Sequence, residues 1–218
     1  MADPIENGPC GTEHTLSDNG ALGILRGTKI ATRNGEHPVE ELRPGDHVMV
    51  RDGGFAPVRW IGSYTAGARG DAFERAAPVK IPRGALGKRQ PNRDLYVSPN
   101  HRVWMRDASY EMLFDTREVL IPAKQLVGWR GITQVSYVPQ PEYFHFLFDR
   151  HQVVLTDGVL SESFHPGEMA LDQFENEARD DLLRMFPDLL QVAAEGKTAR
   201  PCLTPHETPL ALAAKSVA

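Results

Sequence analysis

The chain has few cysteines, no long apolar run and no strong excess of charge, and each shortage excludes a class of protein. Cys10 and Cys202 lie near opposite ends of the 218 residues, so neither a zinc-binding spacing nor a disulfide framework is present. No apolar stretch approaches the roughly 18 residues that a membrane-spanning helix needs. The net charge is -5 and is unevenly placed along the chain, but the basic residues are scattered, which argues against a nucleic-acid surface. We therefore expect neither nucleic acid nor a membrane as a partner.

The two ends of the sequence lack a regular apolar pattern. Residues 1–22 are predicted to be a disordered leader. They lack the basic and apolar regions of a standard signal peptide, so we expect a cytoplasmic or unconventionally exported protein. Residues 196–218, which contain Pro201, Pro205 and Pro209, are predicted to be a disordered tail.

Short apolar runs separated by turns fill the middle of the chain. Gly (19) and Pro (17) are frequent, and Asn34-Gly35 is a strong hairpin signal. Strands are predicted at, for example, Leu95–Val97, residues 111–113 and residues 119–121, and turns recur at the spacing of an all-β domain. The composition and spacing thus predict an all-β fold.

One later segment has a different pattern. Apolar residues of the stretch 168–195, among them Phe174, Leu182 and Met185, recur every three or four positions, which predicts a C-terminal helical extension. We expect this helix to cap the β-domain, and a partner-binding helix is the alternative.

Two short segments carry residues suited to catalysis. In the first, Ser98 and His101 flank a proline-containing turn, so a hydroxyl and an imidazole can act on one carbonyl or departing nitrogen. In the second, Asp149 and His151 would share a face of a strand, where the carboxylate could orient the ring. Both patterns also occur as purely structural turns and surface strands. A metal-dependent hydrolase that uses His145, Asp149 and His151 is a further, less favoured alternative.

Ordered blocks along the chain resemble the Hint (hedgehog/intein) family. The opening blocks contain Gly27-Thr28 and Pro44-Gly45-Asp46, the turn at residues 98–101 resembles the family's Thr-x-x-His block, and residues 143–158 resemble its closing block. Residues 120–126 and 160–167 are similar to a bacterial branch of the family, found alone or on large surface proteins.

The resemblance implies a Hint domain over residues 23–167, an all-β horseshoe-like fold with a C-terminal helix, and self-cleavage as the activity. In that chemistry a Cys or Ser at the first position attacks the preceding carbonyl, so the substrate would be the protein's own N-terminal polypeptide. The resemblance makes His101 the proton donor, Ser98 its hydroxyl partner and His151, with Asp149, a support. It calls for no cofactor or metal.

The sequence departs from the family at the nucleophile. Gly23 stands at that position, and the terminal His-Asn pair needed for splicing is also missing. We therefore expect impaired N-terminal cleavage and no splicing, and we expect Gly23→Cys to restore thiol-stimulated cleavage. The alternative is a non-catalytic binding or structural module on the same fold.

Overall fold

Strands dominate the part of the chain that the structure, a computed structural model, describes. That part comprises residues 23–65, 76–135, 138, 140–165, 184 and 197–216. The strands in chain order are β1 Ile24–Leu25, β2 Lys29–Thr32, β3 Gly35–Pro38, β4 His47–Val50, β5 Gly54–Pro57, β6 Trp60–Thr65, β7 Val79–Ile81, β8 Leu95–Val97, β9 Arg102–Arg106, β10 Glu118–Pro122, β11 Thr133–Gln134, β12 Glu142–Leu147, β13 Val153–Thr156 and β14 Val159–Glu162. The helices are α1 Tyr110–Phe114 and α2 Thr208–Ser216, with 3-10 turns at Val39–Glu41 and Ala123–Leu126.

The all-β prediction is confirmed by this architecture. Two predicted segments, the leader at residues 1–22 and nearly all of the helical extension at 168–195, lie outside the described residues. Among the residues described, no helix has the length and apolar character needed to cross a membrane.

The strands form two antiparallel sheets. One has the order β11-β7-β8-β1-β12-β6, and the other has the order β10-β9-β14-β13-β2-β4-β5, with β3 paired to β2. The alternation along β4 follows the expected period of two, because Val48 and Val50 are buried while His47 and Met49 are exposed. The described strands therefore obey local patterning even where their partners are distant in sequence.

The short strand β1 fixes the start of the domain in the middle of the first sheet. Ile24 lies opposite Phe144 of β12 on one side and opposite Val97 of β8 on the other. Ile24 is buried in one of two main apolar clusters, which also contains Phe144 and Phe146. The preceding residue, Gly23, is thereby held between two strands that are remote in sequence.

One predicted strand, at residues 111–113, is instead helix α1. Asp107 accepts hydrogen bonds from the backbone and hydroxyl of Ser109, and Asp115 adopts a left-handed conformation with φ 54° that ends the helix. The Tyr110 side chain is fully buried and donates to the carbonyl of Ala211. Three residues are too few to distinguish a helix from a strand by periodicity.

The prediction of a disordered tail is wrong for residues 197–216. Leu203 and Ala211 are buried in the second main apolar cluster. The backbone N–H of Leu203 donates to the carbonyl of Leu120 at 2.9 Å, and that of Leu120 donates to the carbonyl of Pro201 at 2.8 Å. The tail thus covers the edge of β10, an interaction that a proline-rich local pattern cannot reveal.

Candidate functional site

A small cavity lies where β1 and β12 of the first sheet meet the end of β14. Its space of about 20 Å³ is enough for one water molecule. The lining residues are Gly23, Ile24, His101, Phe144, His145, Phe146, Glu162, Ser163, Phe164 and His165. The cavity therefore combines the residue that precedes β1, three imidazoles and a carboxylate.

The turn between β8 and β9 brings His101 to this cavity. The backbone N–H of Ser98 donates to the carbonyl of Gly23 at 3.0 Å, which ties the turn to the start of β1. The far side of the turn is fixed by Ala123, whose N–H donates to the carbonyl of His101 at 2.9 Å. Gly23 and His101 line the same cavity, so the start of β1 and this turn are brought together.

Ser98 and His101 present polar atoms that other described residues leave unbonded. Ser98 Oγ and His101 Nε2 are both buried and have no hydrogen-bond partner among the residues described. Most buried polar atoms in proteins are hydrogen-bonded, so such atoms need a reason. These two atoms lie near Gly23, where they could bind a peptide group or a water molecule.

Gly23 itself has no room for a side chain. Its φ is +116°, and a Cβ there would lie 2.8 Å from the carbonyl oxygen of Phe144 and 2.8 Å from Cε1 of His145. Residues with a Cβ avoid this backbone region, and the Phe144 contact is with backbone that cannot rotate away. The expectation that Gly23→Cys restores cleavage is therefore opposed by the structure, since a cysteine would first require β1 to shift.

Two of the imidazoles at the cavity, those of His101 and His145, are uncharged near neutral pH. Burial lowers the pKa of His145 to about 3. Burial, with His145 and Arg102 nearby, likewise lowers the pKa of His101 to about 3. A neutral His101 can donate or accept a hydrogen bond, but it cannot supply a proton as an imidazolium ion until the pH is far below neutral.

His151 is close to a carboxylate, but it is not the one that the sequence indicated. Its Nε2 lies 3.7 Å from Oε2 of Glu162, with both side chains almost fully buried. Glu162 also accepts hydrogen bonds from the backbone N–H and the guanidinium group of Arg102, at 2.7 and 3.3 Å. This carboxylate thus links His151 to the beginning of β9, directly after His101.

Asp149 lies away from this group. Its side chain is 65% exposed and accepts two hydrogen bonds from Arg59, at 2.8 and 3.0 Å. The expected pairing with His151 fails because β12 ends at Leu147 and β13 begins at Val153. Residues 149 and 151 therefore lie in a bend and do not share a strand face.

Comparison with known proteins identifies the family. A family model described as "Hint domain" matches residues 22–168. The chain belongs to the Hint domain family. No curated protein matches it.

Solved structures similar to this Hint domain are inteins and an intein-like domain. A bacterial intein-like domain from Clostridium thermocellum is 13% identical with a TM-score of 0.43, covering 66% of this chain and 99% of that one. The gp41-1 intein is 13% identical with a TM-score of 0.42, covering 65% and 98%. The AceL NrdHF class 3 split intein, as a splice-inactive variant, is 13% identical with a TM-score of 0.43, covering 66% and 99%.

The metal alternative has no geometric support in this Hint domain. Across the described ranges, no group of three or more His, Cys, Asp or Glu side chains could hold a metal ion. Of the three residues considered for it, Asp149 binds Arg59 at the surface, while His145 and His151 are buried.

Three polar residues of the cavity were not predicted from the sequence to act in self-cleavage: Glu162, His165 and His145. His145 was named only in the metal alternative. The His151 and His165 rings lie 5.0 Å apart between centroids, and the ring of His145 packs edge-on against Phe164 at 5.5 Å. Glu162 and His165 belong to the segment 160–167, which was used only for the family resemblance. The available signal was a carboxylate at the end of a strand, Glu162 in β14, with His165 three residues beyond it.

Proposed function

We propose that this Hint domain is an autoprocessing-type module whose N-terminal self-cleavage is impaired, with its own N-terminal polypeptide as the candidate substrate. The observation that carries the proposal is the geometry at residue 23. A glycine stands at the family's nucleophile position, and the carbonyl of Phe144 and the ring of His145 fill the space of a side chain. Without a thiol or hydroxyl there, no ester or thioester can form.

The remaining groups can position the chain at residue 23 and hydrogen-bond to a peptide group, but none of them stands at the nucleophile position. The backbone N–H of Ser98 binds the Gly23 carbonyl, which belongs to the peptide bond after the one that would be cleaved. The Ser98 hydroxyl and His101 Nε2 are buried at the same turn. A neutral His101 can polarise a peptide group by a hydrogen bond. Its pKa of about 3 disfavours the imidazolium form that would protonate a leaving nitrogen, since general acids work best with a pKa near the working pH.

The alternative function is a non-catalytic binding or structural module on the same fold. The small cavity favours it, because about 20 Å³ holds one water molecule and not a peptide side chain. Neither function predicts release of the segment upstream of residue 23 from the wild-type chain, because both lack a nucleophile there. Release at that bond would exclude the structural module.

The test is a fusion of a reporter to the N-terminus of the full chain, followed by intact-mass spectrometry over a day. We expect the wild-type fusion to remain uncut at the bond before Gly23, with and without dithiothreitol, because no nucleophile is present. The control is the same fusion carrying His101→Ala. Release of the reporter from the wild type at that bond, lost in the control, would contradict impairment and establish an active processing domain.

A further inference from the structure

The C-terminal segment of the described chain reaches the candidate site. Arg200 anchors it: its Nε lies 2.6 Å from Glu118 and its Nη2 lies 2.7 Å from Asp52. The Arg200 side chain is only 19% exposed, and its Nη1 donates to the carbonyl of Ala199 at 2.6 Å. The guanidinium group thus holds both β10 and the backbone at residue 199.

The anchored backbone contacts a ring at the site. The N–H of Ala199 donates to Nδ1 of His151 at 3.0 Å. A neutral imidazole has one protonated and one unprotonated nitrogen, and only the unprotonated nitrogen accepts a hydrogen bond. The pKa of His151 is lowered to about 3 by burial, then by His165 and Arg102, so the ring is neutral at ordinary pH.

The other nitrogen must then carry the proton. Nε2 faces Glu162, 3.7 Å from Oε2, a separation longer than a hydrogen bond. Glu162 is held by Arg102, the neighbour of His101 in the chain. A backbone N–H more than 40 residues away in sequence therefore decides in which direction the proton of His151 points.

We propose that Ala199 and Arg200 are positioning residues of the site: the Ala199 N–H fixes His151 as the Nε2–H tautomer facing Glu162, and Arg200 holds that N–H in place. The tail thus positions a residue of the site, in addition to covering the edge of β10. Only the catalytic purpose of this positioning rests on the proposed function; the tautomer of His151 does not. The tautomer can be measured without any cleavage, so failure of one proposal leaves the other testable.

The experiment removes the backbone N–H of residue 199 that donates to His151. Ala199→Pro deletes the backbone N–H, and Ala199→Gly is the matched control that keeps it. Each full-length protein is labelled with ¹⁵N, and the imidazole nitrogens are recorded by long-range ¹H–¹⁵N correlation at pH 7, with His151→Gln to assign the signals. Thermal melting establishes that each variant is folded.

In the wild type and in Ala199→Gly, we expect His151 to show an unprotonated Nδ1 and a protonated Nε2. In folded Ala199→Pro, we expect loss of this fixed pattern, with both nitrogens shifting towards tautomer-averaged values. A protonated Nδ1 in the wild type would overturn the inference. An unchanged pattern in folded Ala199→Pro would also overturn it and leave the tail a purely structural element.

Arg200→Ala provides a second route if the proline variant does not fold. We expect it to shift the same two His151 signals towards averaged values, and Arg200→Lys to restore part of the wild-type pattern by keeping a cation between Asp52 and Glu118. Wild-type signals in folded Arg200→Ala would overturn the anchoring role of Arg200.

Discussion

The crowding around Gly23 predicts a measurable loss of stability when any side chain is introduced. In Gly23→Ala the new Cβ would meet the Phe144 carbonyl and the His145 ring, each at 2.8 Å, at a φ of +116°. Backbone strain at positive φ costs roughly 1–2 kcal/mol, and overpacking a close-packed site costs roughly 1–3 kcal/mol. The expected total is a loss of about 2–5 kcal/mol in the free energy of unfolding.

A matched glycine separates the two contributions. Gly35 has a nearly identical φ of +108°, but a Cβ there would have no atom within 4 Å. Gly35→Ala therefore reports the strain alone. For a chain of this size each kcal/mol lowers Tm by about 2–4 °C, so Gly23→Ala should melt about 2–12 °C below Gly35→Ala.

The assay is thermal and urea unfolding of the wild type and the two variants, followed by circular dichroism. Equal melting temperatures for Gly23→Ala and Gly35→Ala would refute the crowding argument. Residue 23 would then have space for a nucleophile, and the expectation that Gly23→Cys restores cleavage would return.

Two further predictions concern the tail and the buried imidazoles. Leu203→Ala should lower the free energy of unfolding by about 2–5 kcal/mol, because the Leu203 side chain is buried, with 4% exposure. The control Leu210→Ala, at a position with 55% exposure, should change it by less than about 0.5 kcal/mol. Equal urea midpoints for the two variants would contradict the packing of the tail on the domain. Stability should also fall with pH below about 6.5, because His101, His145 and His151 have pKa values of about 3 when folded and bind protons near pH 6.5 when unfolded. The unfolded chain then holds up to three more protons than the folded chain, so the free energy of unfolding should fall by at most about 4 kcal/mol per pH unit. A urea midpoint that stays constant between pH 6.5 and 5 would disprove the burial of these rings.

The sequence by itself determined the fold class and one half of the site. Period-two alternation and turn residues indicate strands because they depend on neighbours in the chain, and β8 was predicted with its observed bounds, Leu95–Val97. The turn from Ser98 to His101 and the glycine at position 23 were recognised from ordered blocks. The structure brings that turn and Gly23 to one cavity through the pairing of β1 with β8.

The tertiary structure alone decided the other half. Asp149 was expected beside His151, but a bend turns it towards Arg59, and Glu162 from another strand takes its place near the ring. The ordering of residues 197–216 has the same cause: burial of Leu203 and the ion pairs of Arg200 are gained only when distant strands are assembled. The local sequence pattern carries no information about such contacts, because the residues that form them are distant in sequence and become neighbours only when the chain folds.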